Sequence, residues 1–123
     1  MSASNLRVNK EDQAKINKYA TGHAKSENLK KEIQKLNVYI ENCKEAEEEI
    51  MIVDDETIPY KVGNAFFDLT VDEISNQLVE DIKNGDAKLA AKKEALQKVT
   101  NELEGLKKEL YAKFGDAINL EAD

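Results

Sequence analysis

The stretch Ile58-Pro59-Tyr60-Lys61-Val62-Gly63-Asn64-Ala65-Phe66-Phe67-Asp68-Leu69 decides the fold. Two short alternating runs flank Gly-Asn, the signature of a β-hairpin closed by a two-residue turn. Glycine at the first central position suits a type II′ turn, where φ must be positive. Counting outward pairs Val62 with Ala65, Tyr60 with Phe67 and Ile58 with Leu69. Because side chains alternate along a strand, these six share one apolar face. Pro59, Asp68, Lys61 and Phe66 fall on the other. An isolated two-stranded hairpin is marginal in water, and its open edges invite pairing with another chain. Pro59 has no N–H to donate, so its strand cannot pair fully at that point. The hairpin is therefore expected to be an assembly element, with Ile58, Tyr60, Val62, Phe66, Phe67 and Leu69 meeting hairpins of other subunits in a shared sheet or barrel. The alternative is a hairpin folded down on its own helices.

On either side lie two long segments without proline, residues 9–50 and 71–114. In the first, Leu29, Leu36, Cys43 and Ile50 repeat in sevens, and Ile33 and Ile40 form a second column that runs on to Glu47. This is the seam of a coiled coil. Upstream, Ile16, Tyr19, Ala20 and His23 still share a helical face, but Gly22 and Ser26 are expected to loosen it. Asn9 suits the N-cap, with Glu11 and Asp12 in the first turn, where the helix dipole favours them. In the second segment Ile82, Leu89, Leu96, Leu103 and Leu110 are spaced by seven, and Leu78, Val99 and Leu106 supply the other column. Asn84-Gly85-Asp86 resembles a turn, yet the heptad phase passes through it, so one continuous helix is expected. Gly85 then costs about 1 kcal/mol relative to alanine.

Thr70 with Glu73 makes a capping box and Leu69 with Ile74 a hydrophobic staple at the start of the second helix. Gly115 suits a left-handed C-terminal cap. Glu27/Lys31, Glu94/Lys98, Glu104/Lys108 and Glu109/Lys113 stand four apart, where each pair adds a few tenths of a kcal/mol. Two helices of equal length, each about 60 Å at 1.5 Å per residue, joined by a short connector, predict an antiparallel hairpin of helices. The expected fold is mainly α: two long antiparallel coiled-coil helices joined by a single β-hairpin. One domain is expected over residues 1–123, with an acidic connector and hairpin at 51–70 and a tail at 115–123.

Composition excludes several classes of function. The chain has 123 residues, 25 acidic against 18 basic, a formal net charge of -7, and only 6% aromatic residues. Ala, Glu, Lys, Leu and Arg make up close to half of it, as in long coiled coils. So much charge and so few aromatics predict a narrow buried seam and dependence on partners. The acidic balance argues against nucleic acid as a partner. No apolar run approaches the length of a membrane span, and Met1-Ser2-Ala3-Ser4-Asn5 has no block resembling a secretory signal. A single cysteine forms no internal disulfide and points to the cytoplasm.

Chemistry-bearing constellations are not found. His23 is the only histidine, so neither a metal-binding His pair nor a triad can be built. Cys43 sits on a heptad column and reads as a small core residue. Glycines 22, 63, 85, 105 and 115 lie too far apart for a phosphate-binding loop. Glu45, Glu47, Glu48, Glu49, Asp54, Asp55 and Glu56 form an acidic run without a base, but lack the EF-hand pattern. A solvated collar or a docking surface for a basic partner is expected there. No catalytic residue, metal site or cofactor is expected, and the chain is not expected to be an enzyme.

Three local matches carry a family resemblance. They are Glu11-Asp12-Gln13 followed by Lys15-Ile16-Asn17; Ile58-Pro59-Tyr60 with Val62-Gly63 and Phe66; and Leu110-Tyr111-Ala112-Lys113-Phe114-Gly115 followed by Ile118-Asn119-Leu120-Glu121. With the helix–hairpin–helix layout, they make the chain resemble the β-type subunits of the prefoldin family, and among these the subunit 4 group. The resemblance implies a hetero-hexamer of two α-type and four β-type subunits whose hairpins build a double β-barrel body with six projecting coiled coils. It further implies an ATP-independent chaperone that captures unfolded actin and tubulin and passes them to the cytosolic chaperonin.

If the hairpin lies in such a body, both termini lie at the far end of the coil. Leu6, Val8, Ile16 and Tyr19 from one helix and Phe114, Ile118 and Leu120 from the other are then expected to splay slightly and contact non-native clients. Ile118 and Leu120 can also fold back on the last helical turn, and the two arrangements can coexist. Two other readings compete with a chaperone: a structural coiled-coil adaptor or tether, which has no need of an apolar hairpin face, and an acidic inhibitor or enzyme cofactor, which no specific motif supports.

Overall fold

The computed structural model describes residues 8–52 and 57–120. Helix α1 spans Lys10–Ile50, strands β1 and β2 span Thr57–Val62 and Ala65–Thr70, and helix α2 spans Val71–Phe114. A short 3-10 turn, Gly115–Ala117, follows α2. This is the expected mainly α layout with one hairpin between two long helices. Helix α2 continues without a break through Asn84-Gly85-Asp86.

The strands pair antiparallel in the counted register: Val62 with Ala65, Lys61 with Phe66, Tyr60 with Phe67, Pro59 with Asp68 and Ile58 with Leu69. Gly63 has φ +62, and among the described residues no non-glycine residue has positive φ. Positive φ thus falls on the first central turn position alone, as a type II′ turn requires. The sheet has these two strands only among the described residues. The side chains of Ile58, Tyr60, Val62, Phe66 and Phe67 lie outside the described set.

Strand β2 runs directly into α2 because Thr70 ends one and caps the other. Its Oγ1 accepts a hydrogen bond from the Glu73 backbone N–H at 3.1 Å, and its own N–H donates to Glu73 Oε1 at 3.3 Å. This reciprocal box satisfies two otherwise orphaned donors of the first turn.

The chain forms two compact units, one of Met1–Lys31 with Lys92–Asp123 and the other of Glu32–Ala91. In the second unit, Cys43, Ile74 and Leu78 form a buried cluster, with Ala46, Ile50, Leu69 and Ile82 packed against it. Leu69 was expected on the assembly face of the hairpin; it is half-buried against the chain's own helices, because the staple draws it toward Ile74. Ile40, 5% exposed, sits over Gly85. A Cβ on Gly85 would lie 2.9 Å from Ile40 Cγ1. The glycine therefore makes the hole into which the isoleucine fits.

The first unit uses the same device. Leu29, Val99, Leu110 and Phe114 are buried there, and a Cβ on Gly22 would lie 2.9 Å from Leu103 Cδ2. The expectation that Gly22 and Ser26 loosen the seam is thus overturned. Ser26 is 5% exposed, and with Asp12 and Tyr19 it carries the Ile33/Ile40 column on in sevens. Gly22 likewise extends the column of Leu29 and Leu36. Small residues mark places where the helices approach closely.

The two mid-helix glycines Gly85 and Gly105 should respond oppositely to substitution. Nothing lies within 4 Å of a Cβ on Gly105, so Gly105→Ala should stabilise the chain by about 0.5–1 kcal/mol through helix propensity. In Gly85→Ala the new methyl meets a Cγ1 held by a stiff, β-branched χ1. Overpacking costs about 1–3 kcal/mol, which outweighs the propensity gain and should leave a net loss of about 1 kcal/mol. Urea unfolding followed by circular dichroism measures both.

Candidate functional site

Where α1 begins and α2 ends, one carboxylate does two jobs. The Asn9 side chain accepts a hydrogen bond from the Asp12 backbone N–H at 2.8 Å, and the Asn9 N–H donates to Asp12 Oδ2 at 3.1 Å. Asn9 is thus the expected N-cap, and Asp12 closes its box. The same Oδ2 accepts a hydrogen bond from Lys113 Nζ of α2 at 2.5 Å. The Asp12 side chain is 6% exposed and that of Lys113 41%. Lys113 falls on the α2 column of Leu78, Val99 and Leu106, so both partners stand at seam positions. A charged pair in a seam fixes register, since slippage would leave the buried charge alone.

The expected Glu109/Lys113 pair gives way to contacts across the seam. Lys113 turns to Asp12, and Glu109 meets Lys15 of α1 at 3.4 Å. Glu94/Lys98 does form, at 3.9 Å. The Lys113 hydrogen bond is the main reason that the Asp12 carboxyl is held below its ordinary range; the Asn9 backbone and the Lys15 charge add to it, and desolvation opposes it.

Beneath this pair lies the apolar end of the unit. Leu110 is 1% and Phe114 4% exposed, and Lys113 Nζ lies 5.5 Å from the Phe114 ring centre. Gly115 takes φ +55, the left-handed cap that ends α2. The tail then folds back: the Leu120 N–H donates to Tyr111 Oη at 3.1 Å.

The expected client-binding residues divide accordingly. Val8 is exposed, and Ile16, Tyr19, Ile118 and Leu120 are half-buried. Phe114 is a correction: it closes the core of this end and offers no surface. The expected splaying is also absent, because the Asp12–Lys113 pair holds the ends together. Leu6 lies outside the described residues. Sequence reading passed over Asp12 and Lys113 as a pair; their places on the two heptad columns are the signal that could have found them.

Elsewhere the acidic end of α1 carries Glu45, Glu47, Glu48 and Glu49 with no base in its last turn, while Asp54, Asp55 and Glu56 lie outside the described residues. Among the described residues no group of three or more His, Cys, Asp or Glu could hold a metal ion. No described helix is long and apolar enough to cross a membrane. His23 is half-buried, 3.9 Å from Glu27, and Cys43 is buried.

The sequence matches the family described as Prefoldin subunit over residues 13–117. The chain belongs to the prefoldin family. It is 38% identical over 124 residues to prefoldin subunit 4 of Bos taurus, covering 99% of this chain and 92% of that one. Probable prefoldin subunit 4 of Caenorhabditis briggsae is 36% identical, with 98% of both chains covered. Prefoldin subunit 4 of Saccharomyces cerevisiae is 33% identical over 96% of this chain and 92% of its own. The fold matches the crystal structure of the prefoldin beta subunit from Thermococcus strain KS-1 with a TM-score of 0.78, covering 89% of this chain and 96% of that one at 19% identity. The chain is thus a chaperone subunit of the prefoldin type, similar over nearly its whole length to relatives named prefoldin subunit 4.

In this prefoldin chain the depressed Asp12 carboxyl makes a pH prediction. A carboxyl with a folded value below its unfolded one stabilises above the unfolded value, and that contribution is lost as pH falls through the folded value. The melting temperature of the wild type should therefore fall more steeply below about pH 4 than that of Asp12→Asn. Parallel acid curves for the two proteins would remove Asp12 from this role.

Proposed function

We propose that this chain is one subunit of a cytoplasmic hetero-hexamer with two α-type and further β-type prefoldin subunits, and that the assembly is a chaperone without catalytic activity. Its hairpin joins hairpins of the other subunits. The assembly captures unfolded proteins such as actin and tubulin without ATP and passes them to the cytosolic chaperonin. The observation that carries the reading is a two-stranded sheet with no third strand among the described residues, in a chain whose relatives carry the name prefoldin subunit 4. Such a sheet gains stability only by adding strands or packing surface.

Client contact is assigned to the end where α1 starts and α2 stops: Val8, Ile16, Tyr19, Ile118 and Leu120, with Leu6 beside them in sequence. Fully burying one such side chain contributes about 1.5–3 kcal/mol. A single end therefore binds weakly, and several ends facing one client bind together through effective concentration. Weak, multiple contacts suit a chaperone that must also release.

The test is deletion of residues 115–123 in the full assembly. Particle mass should stay that of the hexamer, while suppression of aggregation of chemically denatured actin, without ATP, should fall severalfold. Undiminished suppression by an intact hexamer would reject the assignment of client contact to this end.

A further inference from the structure

The glycine notch of the first unit opens a groove of about 520 Å³ on the flank of its two helices. The floor is small and apolar: Gly22 of α1 with Ala95 and Val99 of α2. The rim is basic. Lys18 and Lys25 stand one heptad apart on α1, Lys98 closes the α2 side, and Glu102 is the single acid lining the groove. All four charged residues are exposed. Three cations thus meet on one groove in a chain of net charge -7. The notch at Gly85 in the second unit makes a groove of about 340 Å³ whose charges cancel, Asp81 against Lys88.

The cations of the first groove are left over from the pairing of the helices. Three and four places from Lys18 stand Ala14, Lys15, Thr21 and Gly22; the same places around Lys25 hold Thr21, Gly22, Asn28 and Leu29. Neither lysine therefore has an acid beside it on its own helix. Nearer the start of α1, Lys15 finds Glu109 across the seam at 3.4 Å. Lys18 and Lys25 share their groove with Ala95 instead, and pair with no carboxylate among the described residues. Lys98 meets Glu94 at 3.9 Å, with the two side chains 75% and 73% exposed; so exposed a contact holds the lysine weakly. Like charges held together raise the local potential, and an anion laid among them lowers it.

We infer that this groove docks an extended acidic segment of another protein, with its carboxylates on Lys18, Lys25 and Lys98 and its backbone over Gly22 and Ala95. The spacing fits. Seven residues separate Lys18 from Lys25, a rise of about 10.5 Å along the helix. In an extended polyproline-II chain every third side chain returns to the same face after about 9 Å. Acids three apart in such a segment therefore reach both lysines at once. The small floor residues let its backbone lie close, and the one acid of the rim, Glu102, is outnumbered. Neither the hairpin nor the residues assigned to client contact line this groove, so the inference rests on neither.

The probe is a fluorescein-labelled oligoglutamate peptide, titrated by anisotropy into the full-length chain, alone and assembled with partner prefoldin subunits. Binding should weaken as salt rises. Lys18→Glu combined with Lys25→Glu should weaken it about tenfold, since two attractive contacts become repulsive. Lys31→Glu combined with Lys35→Glu changes the net charge equally on the same helix but outside the groove, and should leave affinity close to that of the wild type. Lys18→Arg with Lys25→Arg should also stay close to it. Ala95→Glu, which supplies an acid from within the groove, should weaken the peptide. Equal helix content by circular dichroism shows that each variant is folded. Equal losses in the two charge-reversed pairs would mean that net charge is read and not a groove, and would overturn the inference. So would a wild-type chain that does not bind the peptide, or one that prefers a single-stranded RNA of the same charge.

Discussion

A two-stranded ladder has two open edges, each a row of unpaired backbone N–H and C=O groups. Six residues on each side of a type II′ turn form the only sheet among the described residues. Among the described side chains, Leu69 ties it to the chain's own helices, packed against the Cys43, Ile74 and Leu78 cluster. That anchor explains how the hairpin is held at the start of α2, while the outer edges of both strands have no partner strand among the described residues.

The helices obey a different constraint. A seam one side chain deep must alternate knobs and holes along its length. Here the holes are glycines, Gly85 beneath Ile40 in one unit and Gly22 beneath Leu103 in the other. Where the seam ends, in the first unit, a charged pair replaces the apolar contact. Its acid also caps α1, so capping, register and closure of that end depend on a single carboxylate.

Much of this could be read from the residues because the signals were local. Gly63-Asn64 and the alternation around it give the hairpin and its register. Thr70 and Glu73 give the start of α2, and Gly115 gives its end. What could not be read is tertiary. Gly22 and Ser26 look like weak points in a hydrophobic pattern, since composition alone does not reveal a partner helix near enough to need them small. Glu109 and Lys113 stand at the right spacing for a pair within one helix, yet each finds a better partner across the seam. Phe114, an aromatic residue at a helix end, looks available, yet it is buried in the fold.

Amide hydrogen exchange over residues 57–70 tests the central claim most directly, measured on the dilute isolated chain and on the same chain mixed with partner prefoldin subunits. If other subunits complete the sheet, these amides exchange quickly alone and become protected, together, in the mixture. Strong protection in the isolated monomer, unchanged on mixing, would contradict it.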